Sequence, residues 1–386
     1  MKETGIEWSG KIPNEWKLYR LKEVVSIKNG KEVELELDEG IPVYGSGGVF
    51  KYTDRYLHDG KSVLLGRKGT IDKPQYVEGK FWTVDTSYYT IVNEEKFSTK
   101  LFYYMSQCFD YKYFQSGSTL PSMTQLDLGL IKLPIADNFE QKLIVEFLDN
   151  KVGEIDKAIK LLKQEIEKLE EYKKNIISEY LNDVKRKTKL KYIVQIKDGT
   201  HDTPDYLMNK DKGYPLITSR YVDSEHNLID FENAPRISEK DMKDINRRSN
   251  VEFGDIIMPM IGSIGNPVIV NSRDVFSIKN LALFKTSKKP TLSKFIYYQF
   301  YSHDILQQFE QVTRGGVQSF VSLYILGNLT FRITDDFEMK YIVGKIENKI
   351  QLSDKIKKIK DRQLCSLKDY RKSLIFEYVT GKKRVI

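Results

Sequence analysis

The chain has 386 residues, a formal charge of +8, 40% hydrophobic and 30% charged residues. This composition excludes a disordered or collagen-like chain and accommodates two or three domains. Two cysteines, Cys108 and Cys365, exclude a disulfide framework and a cysteine-rich zinc site, and both read as buried or half-buried thiols. The basic balance, with a pI near 9.0, invites a polyanionic partner.

In chain order, Met1–Arg20 carries charges and Trp but no apolar signal core, so a cytoplasmic location is expected. A strand-rich front follows, with β-type runs at Ser62–Leu65 and Tyr88–Val92 broken by Gly, Pro and Asp turns. A helix is predicted over Thr99–Phe109. From Leu148 the residues Val152, Ile155, Ile159, Leu162, Ile166 and Leu169 follow at spacings of 4 and 3, continuing through Lys173 or Tyr172 to Ile176 and Tyr180. This is one long heptad-patterned helix. A short polar linker, Asn182–Lys189, leads into a second front, with a helix predicted over Leu292–Phe309. The longest apolar stretch, Ile256–Ile261, is six residues with Pro259 inside it, far short of the roughly 20 that span a membrane. A second long helix keeps Ile346, Ile350, Leu364, Leu367 and Leu374 on its seam. Ser353, Lys357 and Lys360 interrupt it, and a small rotation would let Ile356 and Ile359 take over.

The chain repeats itself. Leu21–Gly30 returns as Leu190–Gly199 at an offset of 169, and Gly69–Ile71 returns as Gly262–Ile264 at 193. Gly117–Tyr180 matches Gly315–Tyr378 at a constant 198 over 64 residues, with 21 identities. Each unit therefore has a variable front, tolerant of insertion as loops are, and a constant helical back. Because the second front joins the end of one long helix to the start of the other, the helices must run antiparallel if they pack. The expected fold is α+β: two mixed strand-rich domains separated by two long antiparallel coiled-coil helices, a pseudo-twofold tandem repeat. The seam over Leu148–Tyr180 would span roughly 50 Å at 1.5 Å per residue.

The readable chemistry lies in polar loops. The first front offers Ser46, Gly47, Arg67, Lys68, Thr70 and Ser118, and the second offers Thr200, His201, Thr218, Ser219, Arg220, Arg314 and Gln318. Glycine lets backbone approach a phosphate, and Arg, Lys, Ser, Thr and Gln are the usual donors to phosphates and base edges. A catalytic constellation is not found. Gly60-Lys61-Ser62 has Arg55 where a P-loop needs its first Gly. Asn266-Pro267-Val268 is not the Asn/Asp-Pro-Pro-aromatic run of amino-methyltransferases. His58, His201, His226 and His303 show no metal-ligand spacing.

The tandem of variable front and constant helix resembles the specificity subunit of type I restriction-modification systems. The opening Gly5–Lys17, the helix start Glu140–Asp149 and the loop Gly199-Thr200-His201-Asp202-Thr203-Pro204 are similar to segments of that family. Met339 departs from the Gln expected after Glu338. The resemblance implies target recognition domains at 1–138 and 186–336 and spacer helices at 139–185 and 337–386. Each recognition domain would read half of a bipartite, asymmetric double-stranded DNA target. The coiled coil would set the spacer and dock two methyltransferase subunits, and two motor-nuclease subunits would complete the restriction enzyme. This chain would be non-catalytic and hold no cofactor, with S-adenosylmethionine, ATP and Mg on its partners. A stand-alone methyltransferase or nuclease with similar recognition domains, and a coiled-coil scaffold that binds no DNA, are the competing classes.

Overall fold

The computed structural model describes the whole chain except residues 6–7, 115–120, 209–211, 225, 263, 314–319 and 386. It divides into two compact units, Met1–Lys163 with Asp361–Ile386, and Gln164–Lys360. No helix among the described residues is long and apolar enough to cross a membrane.

In the first unit, one sheet runs in the order Val25–Asn29, Ser87–Val92, Ser62–Gly66, Gln75–Val77, all antiparallel. A second runs Gly48–Thr53, Ile41–Gly45, Lys80–Thr83, His58–Asp59, with Ile41–Gly45 and Lys80–Thr83 parallel. The second unit repeats this plan. Its sheets run Ile196–Asp198, Leu281–Phe284, Ile256–Pro259, Val268–Ile269, and Arg236–Ile237, Tyr214–Ile217, Ser277–Ile278, the last pair parallel. Lys17–Arg20 pairs with Lys132–Ile135 in one unit and Lys187–Lys189 with Thr330–Arg332 in the other. A one-turn helix precedes the closing strand in both. The Thr124 hydroxyl accepts from Asp127 N at 3.2 Å, and the Ser322 hydroxyl from Ile325 N at 3.3 Å, as N-caps do.

Two helix predictions need correction. The one expected over Thr99–Phe109 ends at Ser106. The one expected over Leu292–Phe309 is two helices, Pro290–Phe300 and His303–Thr313. Ser302 is the cause: its hydroxyl and its N–H both donate to the Gln299 carbonyl, at 2.6 and 2.9 Å. A serine that bonds back to the preceding turn competes with continuation of the helix.

The long helices are Asn138–Asn182 and Asp336–Val379. In the first unit Phe147 packs on Tyr378 with ring centroids 4.4 Å apart, and Asp156 receives Arg371 Nε at 2.7 Å and a second guanidinium nitrogen at 3.2 Å. In the second, Glu165 meets Lys360 at 2.8 Å, Glu170 meets Lys357 at 2.9 Å, and Lys173 meets Asp354 at 2.5 Å. Within each unit one helix advances as the other retreats, so the pairing is antiparallel. Asp354 and Lys173 are the repeat counterparts of Asp156 and Arg371 at the 198 offset, so one ion pair is built twice.

Leu148, Val152, Ile155, Ile346 and Leu374 are buried on the seam, and Ile159, Leu162, Ile166, Leu169, Ile350, Leu364 and Leu367 are half-buried. Lys173, not the exposed Tyr172, continues it. The expected rotation does not occur: Ile356 and Ile359 are 37% and 55% exposed, whereas Ser353 is 2% exposed. Turning Ile356 and Ile359 inward would pull Lys357 and Lys360 from Glu170 and Glu165. The lysine stems cover the seam while their ammonium groups reach acids. Cys365 is exposed, contrary to expectation, and Cys108 is half-buried.

Candidate nucleic-acid interface

In the first unit, segments far apart in sequence converge at one end of the sheets. Gly30 follows strand Val25–Asn29 and lies so close to the opposite strand that a Cβ would sit 2.1 Å from the Val84 carbonyl oxygen. Only glycine fits there, and its N–H donates to Ser87 O at 3.2 Å. The turn at Asp85–Thr86 is thereby fixed. Arg67 N and Lys68 N donate to Thr86 O at 2.9 and 3.2 Å, and the Arg67 guanidinium reaches Asp85 O at 3.4 Å. The hairpin tip Gly45–Gly48 joins this cluster: a Cβ on Gly69 would lie 3.5 Å from Ser46 Oγ, and one on Gly45 3.5 Å from Thr86 Oγ1. Gln75 holds the tip by donating to Gly45 O at 3.0 Å.

Beneath the cluster, Tyr88 donates its hydroxyl to Met123 O at 3.1 Å. Burial pushes the phenol above its ordinary value, partly opposed by Arg67, so it remains a donor. Arg67 sits over the Tyr88 ring at 5.9 Å, and Gly69 N donates to Pro121 O at 3.0 Å. Ser46, Gly47, Arg67, Lys68 and Thr70 are thus brought together. Arg67 is half-buried and preset, and Lys68 is exposed. Ser118 lies outside the described residues.

The second unit uses the same scaffold with different chemistry. A Cβ on Gly199 would sit 1.8 Å from the Ile278 carbonyl oxygen. Gly199 N donates to Leu281 O at 3.2 Å, Thr200 N to Ile278 O at 3.0 Å, and Asn280 N to Thr200 O at 3.1 Å. His201 is then clamped, with Nε2 3.0 Å from Asp198 Oδ2 and Nδ1 2.9 Å from Asn280 Oδ1. Asp198 is 5% exposed and also takes Arg248 at 2.5 Å. Lys279 N donates to Ile217 O at 2.8 Å, and its ammonium reaches the Thr203 hydroxyl. The strand ending at Ile217 delivers Thr218 and the turn Ser219–Tyr221, on which Ser219 and Arg220 are exposed. Arg314 and Gln318 lie outside the described residues.

These clusters present fixed guanidinium, ammonium, hydroxyl and imidazole groups around backbone held close by glycine. Such groups position phosphates and read base edges. Residues 13–171 match the family described as the type I restriction modification DNA specificity domain. The match covers 159 of the 386 residues, under half of the chain.

Curated proteins of the same description are similar to part of the chain. The chain is 29% identical over 143 residues to a putative type I restriction enzyme specificity subunit of Haemophilus influenzae, covering 35% of this chain and 36% of that protein. It is 23% identical over 178 residues to the type I restriction enzyme EcoDI specificity subunit of Escherichia coli, covering 45% and 39%. The chain thus matches well under half the length of these curated relatives. A solved chain, from work on complex assembly and conformational transition of the type I R-M system, shares the fold. It has a TM-score of 0.70 and 13% identity over 97% of this chain and 100% of that one.

Sequence reasoning passed over several residues that shape the two clusters. Thr86, Gln75, Asn280, Lys279 and Arg248 reach their sites through pairings distant in sequence. Asp198 and Gly199 did carry a signal: Lys28-Asn29-Gly30 recurs as Lys197-Asp198-Gly199.

Proposed function

We propose that this chain is the specificity subunit of a type I restriction-modification enzyme, with each unit reading one half of a bipartite, asymmetric DNA target. The observation that carries the reading is one scaffold built twice around two different loop clusters. Asn29-Gly30 opens onto Arg67, Ser46 and Thr86, whereas Asp198-Gly199 opens onto His201, Asn280 and Arg220. Identical framing with different donors suits two readers of different sequence.

The rest of the reading follows from this. The chain positions DNA and performs no transfer itself. A base must leave the stack to be methylated, so a methyltransferase needs a second protein to grip the flanking duplex. The paired helices set the spacer between half-sites and dock two methyltransferase subunits that use S-adenosylmethionine. Two motor-nuclease subunits using ATP and Mg complete the restriction enzyme, in the cytoplasm.

The test combines two assays. Fluorescence anisotropy across a salt series should give duplex binding that falls steeply with salt, as phosphate neutralisation requires. The isolated chain with S-adenosylmethionine should transfer no methyl group, and transfer should begin on adding the methyltransferase partner. Methylation by the chain alone, or binding indifferent to salt, would overturn the reading.

A further inference from the structure

The hairpin formed by Ile41–Gly45 and Gly48–Thr53 carries a feature that phosphate contact does not explain. Val49 and Phe50 are consecutive and 44% and 57% exposed. The ladder shifts register at this point, Val43 pairing with Lys51 and Tyr44 with Val49, so Phe50 is the extra residue of a β-bulge, a device that re-aims a side chain out of the sheet's alternation. The Phe50 ring is nonetheless held in place: a Cβ on Gly45 would lie 3.5 Å from it, and Lys51 Nζ stands 5.0 Å from its centroid. Lys51 is itself anchored by Glu36. The hairpin tip also abuts the Arg67 loop, through the approach of Ser46 to Gly69.

In the second unit the exposed apolar residues at the equivalent edge, Tyr206, Leu207 and Met208, lie on a separate segment held there by Leu207 N donating to Arg236 O at 2.8 Å, not on a bulged hairpin strand. At the equivalent edge, strand Tyr214–Ile217 is flanked by Arg236–Ile237, and Ile237 is 0% exposed. An aromatic side chain kept in water beside cationic loops gains its apolar contact only when something covers it. Beside a polyanion whose interior is a stack of flat bases, that cover is the bases themselves. Apolar side chains inserted at base steps unstack and kink duplex DNA, and aromatic rings stack on bases without reading their edges.

We propose that Phe50 is a wedge that inserts at one base step of the half-site read by the first unit. The wedge rests on the DNA-reading function proposed above and adds an uncharged, shape-reading contact to the half-site read by the first unit. It selects deformable steps, such as pyrimidine–purine steps, at a position where no hydrogen bond is made.

The test uses the full chain assembled with its methyltransferase partner, and duplexes carrying 2-aminopurine at successive positions of each half-site. The wild type should raise the fluorescence at one step of the first half-site. Phe50→Ala should abolish that signal and weaken binding about 5- to 150-fold, the range of losing one aromatic–base stack. Its salt slope should equal that of the wild type, because phenylalanine neutralises no phosphate. Phe50→Trp should restore both signal and affinity, which separates insertion from misfolding. Wild-type affinity and fluorescence in Phe50→Ala would overturn the wedge while leaving the DNA-reading function intact. Failure of the wild-type complex to bind duplex DNA would contradict that function, and the wedge with it.

Discussion

Replacing Gly199 with alanine should disable one reader and spare the other. The new Cβ would lie 1.8 Å from the Ile278 carbonyl oxygen and 2.8 Å from Ile278 Cγ1, and real Cβ contacts essentially never fall under 3.0 Å. The two segments must therefore part. Three backbone hydrogen bonds tie them, Gly199 N to Leu281 O, Thr200 N to Ile278 O, and Asn280 N to Thr200 O. At about 0.5–1.5 kcal/mol net each, losing all three destabilises the second unit by about 1.5–4.5 kcal/mol. His201 moves with the segment and loses its contacts to Asp198 and Asn280. Gly30→Ala, with its Cβ 2.1 Å from Val84 O, is the matched perturbation of the first unit. The assay is methylation by the assembled complex on duplexes mismatched in one half-site at a time, alongside thermal unfolding. Gly199→Ala should lose discrimination in one half-site, and Gly30→Ala in the other. Unchanged stability and discrimination in Gly199→Ala, or equal damage to both half-sites, would refute the reasoning.

Three further outcomes are expected. Ser353 is buried with a hydroxyl that has no hydrogen-bond partner, so Ser353→Ala should stabilise the seam by about 1–3 kcal/mol and raise the unfolding midpoint by about 2–4 °C per kcal/mol. Lys68→Ala should weaken binding to all sequences and lower the salt slope by about 1, whereas Arg220→Ala should cost about 1–3 kcal/mol at one base position if it reads a base. Burial pushes the Cys108 thiol up to about 12, partly opposed by Lys372 and Arg371. It therefore stays protonated well above neutral pH, and iodoacetamide at pH 8 should label exposed Cys365 and leave Cys108 unmodified in mass spectra.

Much of this architecture was legible because it is periodic or repeated. The spacings from Leu148 to Leu169 dictate a long helix, and the ungapped match of the two backs dictates that it occurs twice. Glycine and polar loops marked the first-unit cluster, since Arg67 follows Gly66, where a Cβ would lie 2.2 Å from the Thr70 carbonyl oxygen. What was hidden depends on partners distant in sequence. The seam around Ser353 looked as if it needed rotation, because the acids that hold Lys357 and Lys360 lie on the other helix. The clamp on His201 was invisible for the same reason: Asn280 arrives through the pairing of Thr200 with Lys279. The break at Ser302 was local, but serine within an apolar helical pattern does not by itself announce a stop.

The central claim is that two readers with different chemistry share one chain. Mapping methylated adenines in a genome that expresses this chain with its methyltransferase partner tests it most directly. The account predicts two unlike half-sites separated by an unread spacer of fixed length, with Gly199→Ala degrading one half only. One continuous site, or a perfect palindrome, would contradict it.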